Sequence, residues 1–464
     1  MKKIGDPFKI LNEEEQHRNM LETPIPKLVS KMALPMVILQ LMSVVYNTVD
    51  TFFVSKISNS ASAAVGVVFS LMSLIQAFGY GIGMGAGSIM SRYLGAKREE
   101  DAVRIASSAC LMSLVSGTLV LVFGLLFLTP LMRVFGSTDA MMEHTTSYAF
   151  YILLAAPINL LGYVLAIIFR SEGEAKVAMI ASATGGLLNV ALDPVFIFGL
   201  GMGAGGAGLA TGISQTVNFF ILTWFFLRKK SIIIPSIKRI SRNFRDYLDI
   251  LKTGLPTIMR QGLASLATTL ITRSASAVSL AKEEAIAGVT IANKVYLLVR
   301  NVILGIGQGF QPVAGYNFGA GRKDRTRQAF WFAVFAGTVV SVLSAVVIAL
   351  TPETFIRVFR DDPGVVAVGK TAVLFVAAVL PFLAFSTFVN QLFQCLGFKV
   401  SATILACSRQ GICFLPLVFL LPRVLGITGV ALTQPGADFL TFLVSVPFLA
   451  VFMKKKLKTD EKSD

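Results

Sequence analysis

Histidine and cysteine are scarce in this sequence, and their positions argue against several kinds of chemistry. Of 464 residues, only two are histidines and four are cysteines. His17 and His144 lie in polar stretches, whereas the cysteines fall in apolar runs without metal-site spacing, at Cys110, Cys395, Cys407 and Cys413. An enzyme embedded in a membrane needs a metal cluster or a nucleophile–base pair at depth. We therefore expect no enzyme activity and no cofactor.

Charged residues are also few, and the apolar runs between them are long. Only 15% of the chain is charged, 54% is hydrophobic and the mean hydropathy is +0.71. Runs of about 20 apolar residues or more can each cross the roughly 30 Å hydrocarbon core of a bilayer, and unbroken runs favour helices over barrel strands. The sequence predicts an all-α integral membrane protein with twelve transmembrane helices, at 28–52, 63–88, 105–128, 147–169, 177–199, 207–227, 248–272, 285–313, 328–350, 366–393, 400–421 and 429–452.

Acidic residues are outnumbered 26 to 42 by Lys and Arg, and the net charge of +16 is unevenly placed. If the N-terminus is cytoplasmic, the inner segments hold 28 Lys and Arg and the outer loops 7. This asymmetry follows the positive-inside rule, so we expect a multi-pass protein of the cell membrane with both termini cytoplasmic. The polar stretch 1–27 lacks the apolar core of a signal peptide. The membrane flanks of the basic stretch 228–246 disfavour nucleic acid as a partner and favour the lipid bilayer.

An internal duplication divides the chain into halves. Lys31-Met-Ala-Leu-Pro35 returns as Lys252-Thr-Gly-Leu-Pro256, and Gly95-Ala-Lys-Arg98 returns as Gly319-Ala-Gly-Arg322. Six spans per half give both halves the same orientation, which predicts two pseudo-symmetric six-helix lobes arranged as parallel repeats. The predicted organisation is a cytoplasmic N-terminal segment, an N-lobe, a basic linker, a C-lobe and a basic tail, at 1–27, 28–227, 228–246, 247–452 and 453–464.

Glycine and proline interrupt several spans. The run Gly79-Tyr-Gly-Ile-Gly-Met-Gly-Ala-Gly87 resembles a nucleotide-binding loop but lacks the strand context and the Lys-Ser/Thr that a phosphate site requires. Small residues that let helices approach closely are the better interpretation. Pro35 and Pro256 fall early in the first helix of each half, where proline is expected to produce a kink.

Three aspartates lie well within predicted spans, at Asp50, Asp193 and Asp438. An unpaired carboxylate in hydrocarbon is costly, so such residues pair, face a cavity or bind a proton or cation. Asn189 shares a helix face with Asp193, and Thr211 opens the next span. Together with Asp50 they could form a hard-oxygen site for H⁺ or Na⁺. Simple hydrogen bonding between helices is the alternative.

The two halves differ in these charges. The positions of the second half that correspond to Asp50 and Asp193 hold no acidic residue. Instead, the second half places Arg260, Lys294 and Arg300 in its first two spans. These cations could pair with Asp438, face a central cavity or extend toward the membrane surface. Ion coupling is therefore expected in the first half.

The whole chain resembles the bacterial multidrug and toxic compound extrusion (MATE) family. The resemblance rests on the order and spacing of several short motifs: Leu34-Pro35, Asn47-Thr-Val-Asp50, Gly95-Ala-Lys-Arg98, Asn189-x3-Asp193-Pro194 and Gly206-Ala-Gly-Leu-Ala-Thr211. It implies an N-lobe cation or proton site at Asp50, Asn189, Asp193 and Thr211, with the backbone carbonyl of Ala207. It also implies bending of the first helix at Pro35. The additional acidic residue that some relatives carry in the seventh helix is missing here.

These observations predict an antiporter that exports amphiphilic, cationic organic compounds by alternating access. Inward H⁺ or Na⁺ movement through the N-lobe site would drive it, with Tyr46 beside Asp50 as a further member. The substrate cavity is expected between the lobes, near Gln40, Asn47, Asn159, Arg260 and Lys294, and lined by Phe and Met. The alternative is an exporter of lipid-linked precursors from the same superfamily, whose members often add two helices and a strongly cationic cavity. A passive channel is disfavoured by the intramembrane acids, and we expect a monomer.

Overall fold

The computed structural model describes residues 13–228, 231–278 and 283–456, and all secondary structure in these ranges is helical. The N-terminal part contains a short α1 and eight further segments: α1 Glu13–Glu22, α2 Ile25–Ser55, α3 Asn59–Gly95, α4 Glu99–Leu126, α5 Leu128–Val134, α6 Asp139–Ser171, α7 Ala175–Pro194, a π turn at Val195–Gly199 and α8 Gly203–Leu227. After a 3₁₀ turn at Ile237–Arg239 follow α9 Phe244–Val278, α10 Glu283–Gly319, α11 Lys323–Leu350, α12 Pro352–Arg357, α13 Pro363–Leu396, α14 Lys399–Cys407, a π turn at Ser408–Ile412 and α15 Phe414–Lys456.

The described helices supply twelve membrane passes. Ten helical stretches are long and apolar enough to span a bilayer. Helix α9, with 35 residues, is also long enough and is counted as an eleventh. The last stretch, Lys399–Lys454, is 56 residues long and is broken at Gly426, whose φ of 59° and ψ of −135° are not helical. It therefore contains two passes. The predicted all-α membrane fold with twelve transmembrane helices is confirmed.

Local sequence signals start and stop these helices. The Ser58 hydroxyl caps α3 by accepting from the Ala61 N–H at 3.0 Å, and the Asp362 carboxylate caps α13 by accepting from the N–H of Gly364. Gly397 ends α13 with a φ of +85°, a conformation that favours glycine. Both α2 and α9 continue as helices through their early prolines. Bending at Pro35 stays a prediction.

Glycine pairs bring the two halves together through reciprocal crossings. Gly85 of α3 lies against the Ile250 carbonyl and Gly254 of α9, where a Cβ atom would come within 2.1 Å of that carbonyl oxygen. Gly309 of α10 lies against Ala33 of α2 in the same way. Ala33 and Gly254 correspond in the duplication, as do Gly85 and Gly309. The α3–α9 and α2–α10 crossings are therefore equivalent under the pseudo-two-fold relation.

The glycine-rich run in α3 has the packing role that its composition indicated. Gly79 and Gly83 face α6 at Tyr163 and Ile167, whereas Gly81 faces α9 at Ile258. Residues four apart share a helix face, so alternate glycines serve two neighbours. The two Gly-Ala-x-Arg repeats also meet each other, because Gly95 approaches the Tyr316 carbonyl and Gly319 approaches that of Arg92. Gly95 and Gly319 thus permit backbone-to-backbone contact between the halves.

The hydrophobic cores show that the halves meet at one end only. One core joins both halves and includes Met32 and Ala33 of α2 together with Phe310 of α10. At the opposite end no described core crosses between the halves: one core lies entirely in the first half, while the second half is packed there by the part of the joined core at Ile356 and Val365 and by a small core around Phe414. The joined end carries α1, the basic linker and the Gly-Ala-x-Arg loops. The halves therefore close on the basic side and separate on the other.

A buried glutamate fastens the linker to the joined end. Glu172 lies between α6 and α7 and is 1% exposed. Its carboxylate accepts from the Ser231 hydroxyl at 2.7 Å and from the N–H groups of Ile232 and Ile233 at 3.2 and 2.8 Å. Gln16 of α1 donates to the Glu172 carbonyl oxygen. Burial raises the pKa of Glu172 to about 8, against these hydrogen bonds, which favour the charged form.

The predicted domain boundaries stay a prediction. The basic linker 228–246 and the terminal segments 1–27 and 453–464 are only partly described, since residues 1–12, 229–230 and 457–464 lie outside the described ranges. Within those ranges, Phe244 already opens α9 inside the predicted linker, and Lys456 closes α15 inside the predicted tail. Helices thus begin before and end after the apolar runs, because a helix continues into the polar headgroup region.

Candidate functional site between the lobes

A polar cavity of about 260 Å³ lies between the two halves, above the glycine crossings. The expected Phe and Met lining is sparse, with Phe69, Met42 and Met84 as the described examples. Uncharged polar side chains dominate, and Gln40 and Asn47 line the cavity as expected. The other polar lining residues include Ser43, Tyr46, Gln76, Tyr80, Tyr163, Asn189, Thr211, Gln215, Asn218, Arg260, Gln261, Arg300, Asn301, Gln308 and Gln311.

The two N-lobe aspartates approach each other behind the cavity wall. Asp193 of α7 is fully buried and Asp50 of α2 is 8% exposed. The Asn189 amide donates to Asp193 Oδ1 at 3.2 Å and is 3.4 Å from the Thr211 hydroxyl of α8. The two carboxylates lie within electrostatic range of each other. Helices α2, α7 and α8 thus bring together the four residues that the sequence singled out.

Tyr148 of α6 completes this cluster, although the sequence did not point to it. Its hydroxyl donates to Asp50 Oδ2 at 2.9 Å, and the side chain is 1% exposed. It approaches Asp193 and Thr211 closely enough to interact with both. A tyrosine inside an apolar run needs a hydrogen-bond partner when buried. That rule could have nominated Tyr148, but the sequence does not reveal which of several intramembrane tyrosines meets an aspartate.

One oxygen of each carboxylate forms no hydrogen bond with a described residue. Asp50 Oδ1 and Asp193 Oδ2 are buried and have no hydrogen-bond partner among the described residues. A buried acceptor without a partner costs about 1–3 kcal/mol, so such an oxygen calls for an explanation. A bound proton or a small hard cation would satisfy both oxygens. Among the described residues, no group of three or more His, Cys, Asp or Glu side chains could hold a metal ion.

The remaining N-lobe candidates lie around the cluster. Tyr46 lines the cavity one turn before Asp50 and packs near Gly186 of α7. Ala207 is fully buried one turn before Thr211 on α8. The Asn47 amide donates to the Ser43 carbonyl at 2.7 Å, within its own helix, rather than to an aspartate. Tyr46 and Ala207 are therefore neighbours of the carboxylates.

A π turn begins two residues after Asp193. Helix α7 ends at Pro194, and residues Val195–Gly199 form a single wider turn. Proline removes a backbone donor and clashes with the preceding turn, which accounts for the change in winding after Asp193. Such turns are frequent at functional sites. The second half has a π turn at Ser408–Ile412, which contains Arg409.

Arg409, which the sequence analysis overlooked, is the partner of the C-lobe aspartate. Its Nε donates to Asp438 Oδ1 at 2.7 Å, and both side chains are buried. The Tyr296 hydroxyl donates to Asp438 Oδ2 at 2.5 Å and also contacts Arg409. Of the alternatives that the sequence left open for Arg260, Lys294 and Arg300, an ion pair with Asp438 is not found among the described residues. A count of charges inside the eleventh span would have identified Arg409 as a candidate.

The three other C-lobe predictions have different outcomes. Arg260 and Arg300 line the cavity, as predicted for Arg260. Lys294 does not, because it is exposed and its ammonium lies 5.6 Å from the centre of the Phe359 ring. Asn159 also lies outside the cavity lining, and its Oδ1 is buried without a described partner.

The fold and the site together define a membrane transport protein with two six-helix lobes around a central polar cavity. The comparisons assign the family. The sequence model described as MatE matches residues 35–195 and 256–420, once in each half and covering more than half of the chain. The chain belongs to the MatE family and is a MATE family transporter. The two matches start at the prolines that mark the duplication.

Relatives and solved structures agree over nearly the whole chain. The multidrug export protein MepA of Staphylococcus haemolyticus is 25% identical over 455 residues, which are 97% of this chain and 99% of the relative. The solved structure of a MOP superfamily transporter from Pyrococcus furiosus, described as having a binding pocket of reverse polarity, is 25% identical with a TM-score of 0.88, covering 95% of this chain and 98% of that one. An outward-facing multidrug resistance MATE family transporter gives the same four values.

Proposed function

We propose that this protein is a secondary active exporter of varied small amphiphilic compounds, driven by inward movement of H⁺ or Na⁺ through the N-lobe carboxylates. Support comes from MepA, whose name describes multidrug export, and from the two-lobe fold. The protein would work as a monomer in the cell membrane with both termini cytoplasmic. The described cavity lining holds two arginines and no carboxylate, so the proposal does not depend on a positively charged substrate.

One observation carries this proposal. Asn189 and Thr211 belong to the carboxylate cluster and also line the cavity. An ion that binds Asp50 and Asp193 would therefore compete for, or reorient, groups that a substrate in the cavity contacts. Two ligands that each favour a different arrangement of the same side chains are coupled reciprocally. The lobes here separate on the non-basic side, which suits release of substrate to the outside.

The cycle follows from the difference in affinity between two states. A ligand shifts a conformational equilibrium only as far as its affinities for the two states differ. Ion binding satisfies the unbonded oxygens of Asp50 and Asp193 and removes the repulsion between the carboxylates. It would thereby stabilise closer packing of α2, α7 and α8 and release substrate. Return of the ion to the cytoplasm would restore the cavity for the next substrate.

The coupling test replaces each aspartate with asparagine in proteoliposomes under an imposed H⁺ or Na⁺ gradient. Efflux of preloaded ethidium and of preloaded carboxyfluorescein is followed, so that the result does not depend on substrate charge. We expect Asp193→Asn and Asp50→Asn to lower gradient-driven efflux at least tenfold. The matched control is Asp249→Asn, an exposed aspartate at the basic end of α9. Unchanged gradient-driven efflux in both N-lobe variants would refute the coupling site.

A second candidate is export of a lipid-linked precursor. The cationic wall formed by Arg260 and Arg300 favours it, because such precursors carry phosphate groups. Twelve membrane passes and the N-lobe aspartates favour the exporter of varied compounds. A translocation assay with a fluorescent polyprenyl phosphate separates the two. Facilitated transfer of that lipid, without efflux of either dye, would establish the second candidate in place of the first.

A further inference from the structure

Two arginines of the cavity wall form no ion pair with a described residue. Arg300 of α10 is 8% exposed, and its Nε is buried without a hydrogen-bond partner among the described residues. The Nη1 atom of Arg260 in α9 is likewise buried and has no hydrogen-bond partner among the described residues. Neither guanidinium forms an ion pair with a described residue. Because a guanidinium carries five donors and stays charged, an unpaired and largely buried one is unfavourable unless something else neutralises it.

The nearest acid is already engaged. Asp438 accepts from Arg409 at 2.7 Å, from Tyr296 at 2.5 Å and from the Gln434 amide at 3.3 Å. Arg260 and Arg300 interact electrostatically with each other and with Arg409, and Arg300 is also within electrostatic range of the Asp438 carboxylate. The described cluster thus sets three arginines against one carboxylate. The excess positive charge is directed at the cavity, since Arg409 is the member bound to Asp438.

The rest of the cavity offers aromatic surface and hydrogen bonds but no negative charge. Tyr80 and Tyr163 on the N-lobe wall stack with ring centres 4.5 Å apart and planes 28° apart. Gln308 and Asn301 of α10 add neutral donors beside the arginines. Asp50 and Asp193 are not among the lining residues, because Asn189 and Thr211 stand in front of them. An organic cation here would meet two like charges.

We propose that the central cavity is the binding site for an amphiphilic organic anion. Its carboxylate, sulfonate or phosphate is held by the guanidinium groups of Arg260 and Arg300, and its aromatic body lies against the wall of Tyr80 and Tyr163. Guanidinium forks bind such oxyanions with paired hydrogen bonds. This inference rests on the proposed transport function and replaces the cationic substrate expected from the sequence with an anionic one. Arg260 and Arg300 are binding residues that select the substrate by charge.

The test compares two dyes that share one ring system and differ in charge. Fluorescein is an anion and rhodamine 123 is a cation, and both contain a xanthene core. Fluorescence anisotropy measures their binding to the purified full chain in phosphatidylcholine nanodiscs without any ion gradient. We expect fluorescein to bind at least tenfold more tightly than rhodamine 123. Arg300→Gln and Arg260→Gln should each weaken fluorescein binding at least tenfold while rhodamine 123 binding stays equal or tightens.

Two further variants separate charge from folding. Arg300→Lys keeps the positive charge and should retain more fluorescein binding than Arg300→Gln. Arg423→Gln removes an exposed arginine of the same lobe and should leave both dyes unaffected. A thermal melt of each variant verifies that it is folded. Tighter binding of rhodamine 123 by the unaltered chain overturns the proposal, as does unchanged fluorescein binding in both glutamine variants.

Competition identifies the source of the anion. Dihexanoyl phosphatidylglycerol and dihexanoyl phosphatidylcholine share their chains and differ in net charge. Displacement of fluorescein by the glycerol lipid alone supports a lipid anion as occupant, and displacement by neither supports a soluble one. Displacement by both lipids overturns selection by charge. Because binding is measured without a gradient, loss of ion coupling would leave these results unchanged, and the two proposals can fail independently.

Discussion

The buried carboxylates of this protein differ in their ion pairs and in the hydrogen bonds that they accept. Asp438 is paired with Arg409, and Glu172 accepts from two backbone N–H groups and a hydroxyl. Asp50 and Asp193 are each only half satisfied. A carboxylate whose oxygens all accept hydrogen bonds is fixed in place, whereas one with an unbonded oxygen can still bind a proton or a cation. The pattern of hydrogen bonds, rather than burial alone, separates the structural acids from the candidate coupling acids.

The raised pKa of Glu172 makes stability depend on pH. The pKa of about 8 in the fold lies above the ordinary value of 4.5, so the folded state binds more protons between these values. Stability from this group is therefore fully present below pH 4.5 and is lost as the pH rises through 8, at up to about 1.4 kcal/mol per pH unit. We expect the melting temperature to fall between pH 6 and pH 9, measured by tryptophan fluorescence in detergent.

Glu172→Gln is the variant that isolates this effect. The amide keeps the volume and one acceptor but loses a hydrogen bond, worth about 1 kcal/mol, to the linker. Its melting temperature should be lower at pH 6 and should change less between pH 6 and pH 9. Glu143→Gln, an exposed position in the first turns of α6, is the control that should follow the unaltered chain. A pH slope that survives in Glu172→Gln would assign the effect to other groups.

At the scale of helices, glycine decides where the halves touch. The α3–α9 and α2–α10 crossings depend on positions where a Cβ atom would overlap a backbone atom. Glycine in a helix costs about 1 kcal/mol relative to alanine, so its use at these crossings reflects the gain from close approach. The crossings hold the basic side closed. Any inward-facing state must separate them.

Gly254→Ala should weaken closure on the basic side. Its Cβ would lie 2.0 Å from the Gly81 carbonyl oxygen, so α9 has to move away from α3. Spin labels at Ala96→Cys and Lys323→Cys, both exposed on the basic-side loops, report the separation of the halves. We expect a longer mean distance by several Å and at least tenfold slower efflux, because the outward-open state loses its closed end.

The same helix supplies the control for that experiment. Gly262 of α9 has no atom within 4 Å of the position of an added Cβ. Gly262→Ala therefore changes helix propensity without disturbing the crossing, and its label distance should match that of the unaltered chain. An unchanged distance in Gly254→Ala would show that this crossing does not hold the halves together.

At the scale of the whole molecule, charge asymmetry and packing asymmetry coincide. The side rich in Lys and Arg is the side on which one core joins both halves. On the other side no described core crosses between the halves. If positive charge marks the cytoplasmic side, the protein is closed to the cytoplasm and open to the outside.

Labelling of intact cells tests this orientation. Lys238 in the linker and Asp361 after α12 are both exposed and lie on opposite sides of the predicted membrane. A membrane-impermeant maleimide should label Asp361→Cys and leave Lys238→Cys unlabelled until the cells are permeabilised. The unaltered chain, whose four cysteines are buried or half-buried, is the control for background. Labelling of Lys238→Cys in intact cells would reverse the assignment.

The sequence by itself determined the twelve membrane helices, the duplication and the N-lobe carboxylates. Long apolar runs and rare intramembrane acids are local signals, because hydrocarbon penalises every exposed backbone or charged group. Only the tertiary structure decided which partners those groups meet. In the structure, Tyr148 donates a hydrogen bond to Asp50, and Asp438 forms its ion pair with Arg409 rather than with Arg300. Lys294 is exposed and lies outside the cavity lining. Such pairings depend on the relative rotation of distant helices, which periodicity within one helix does not specify.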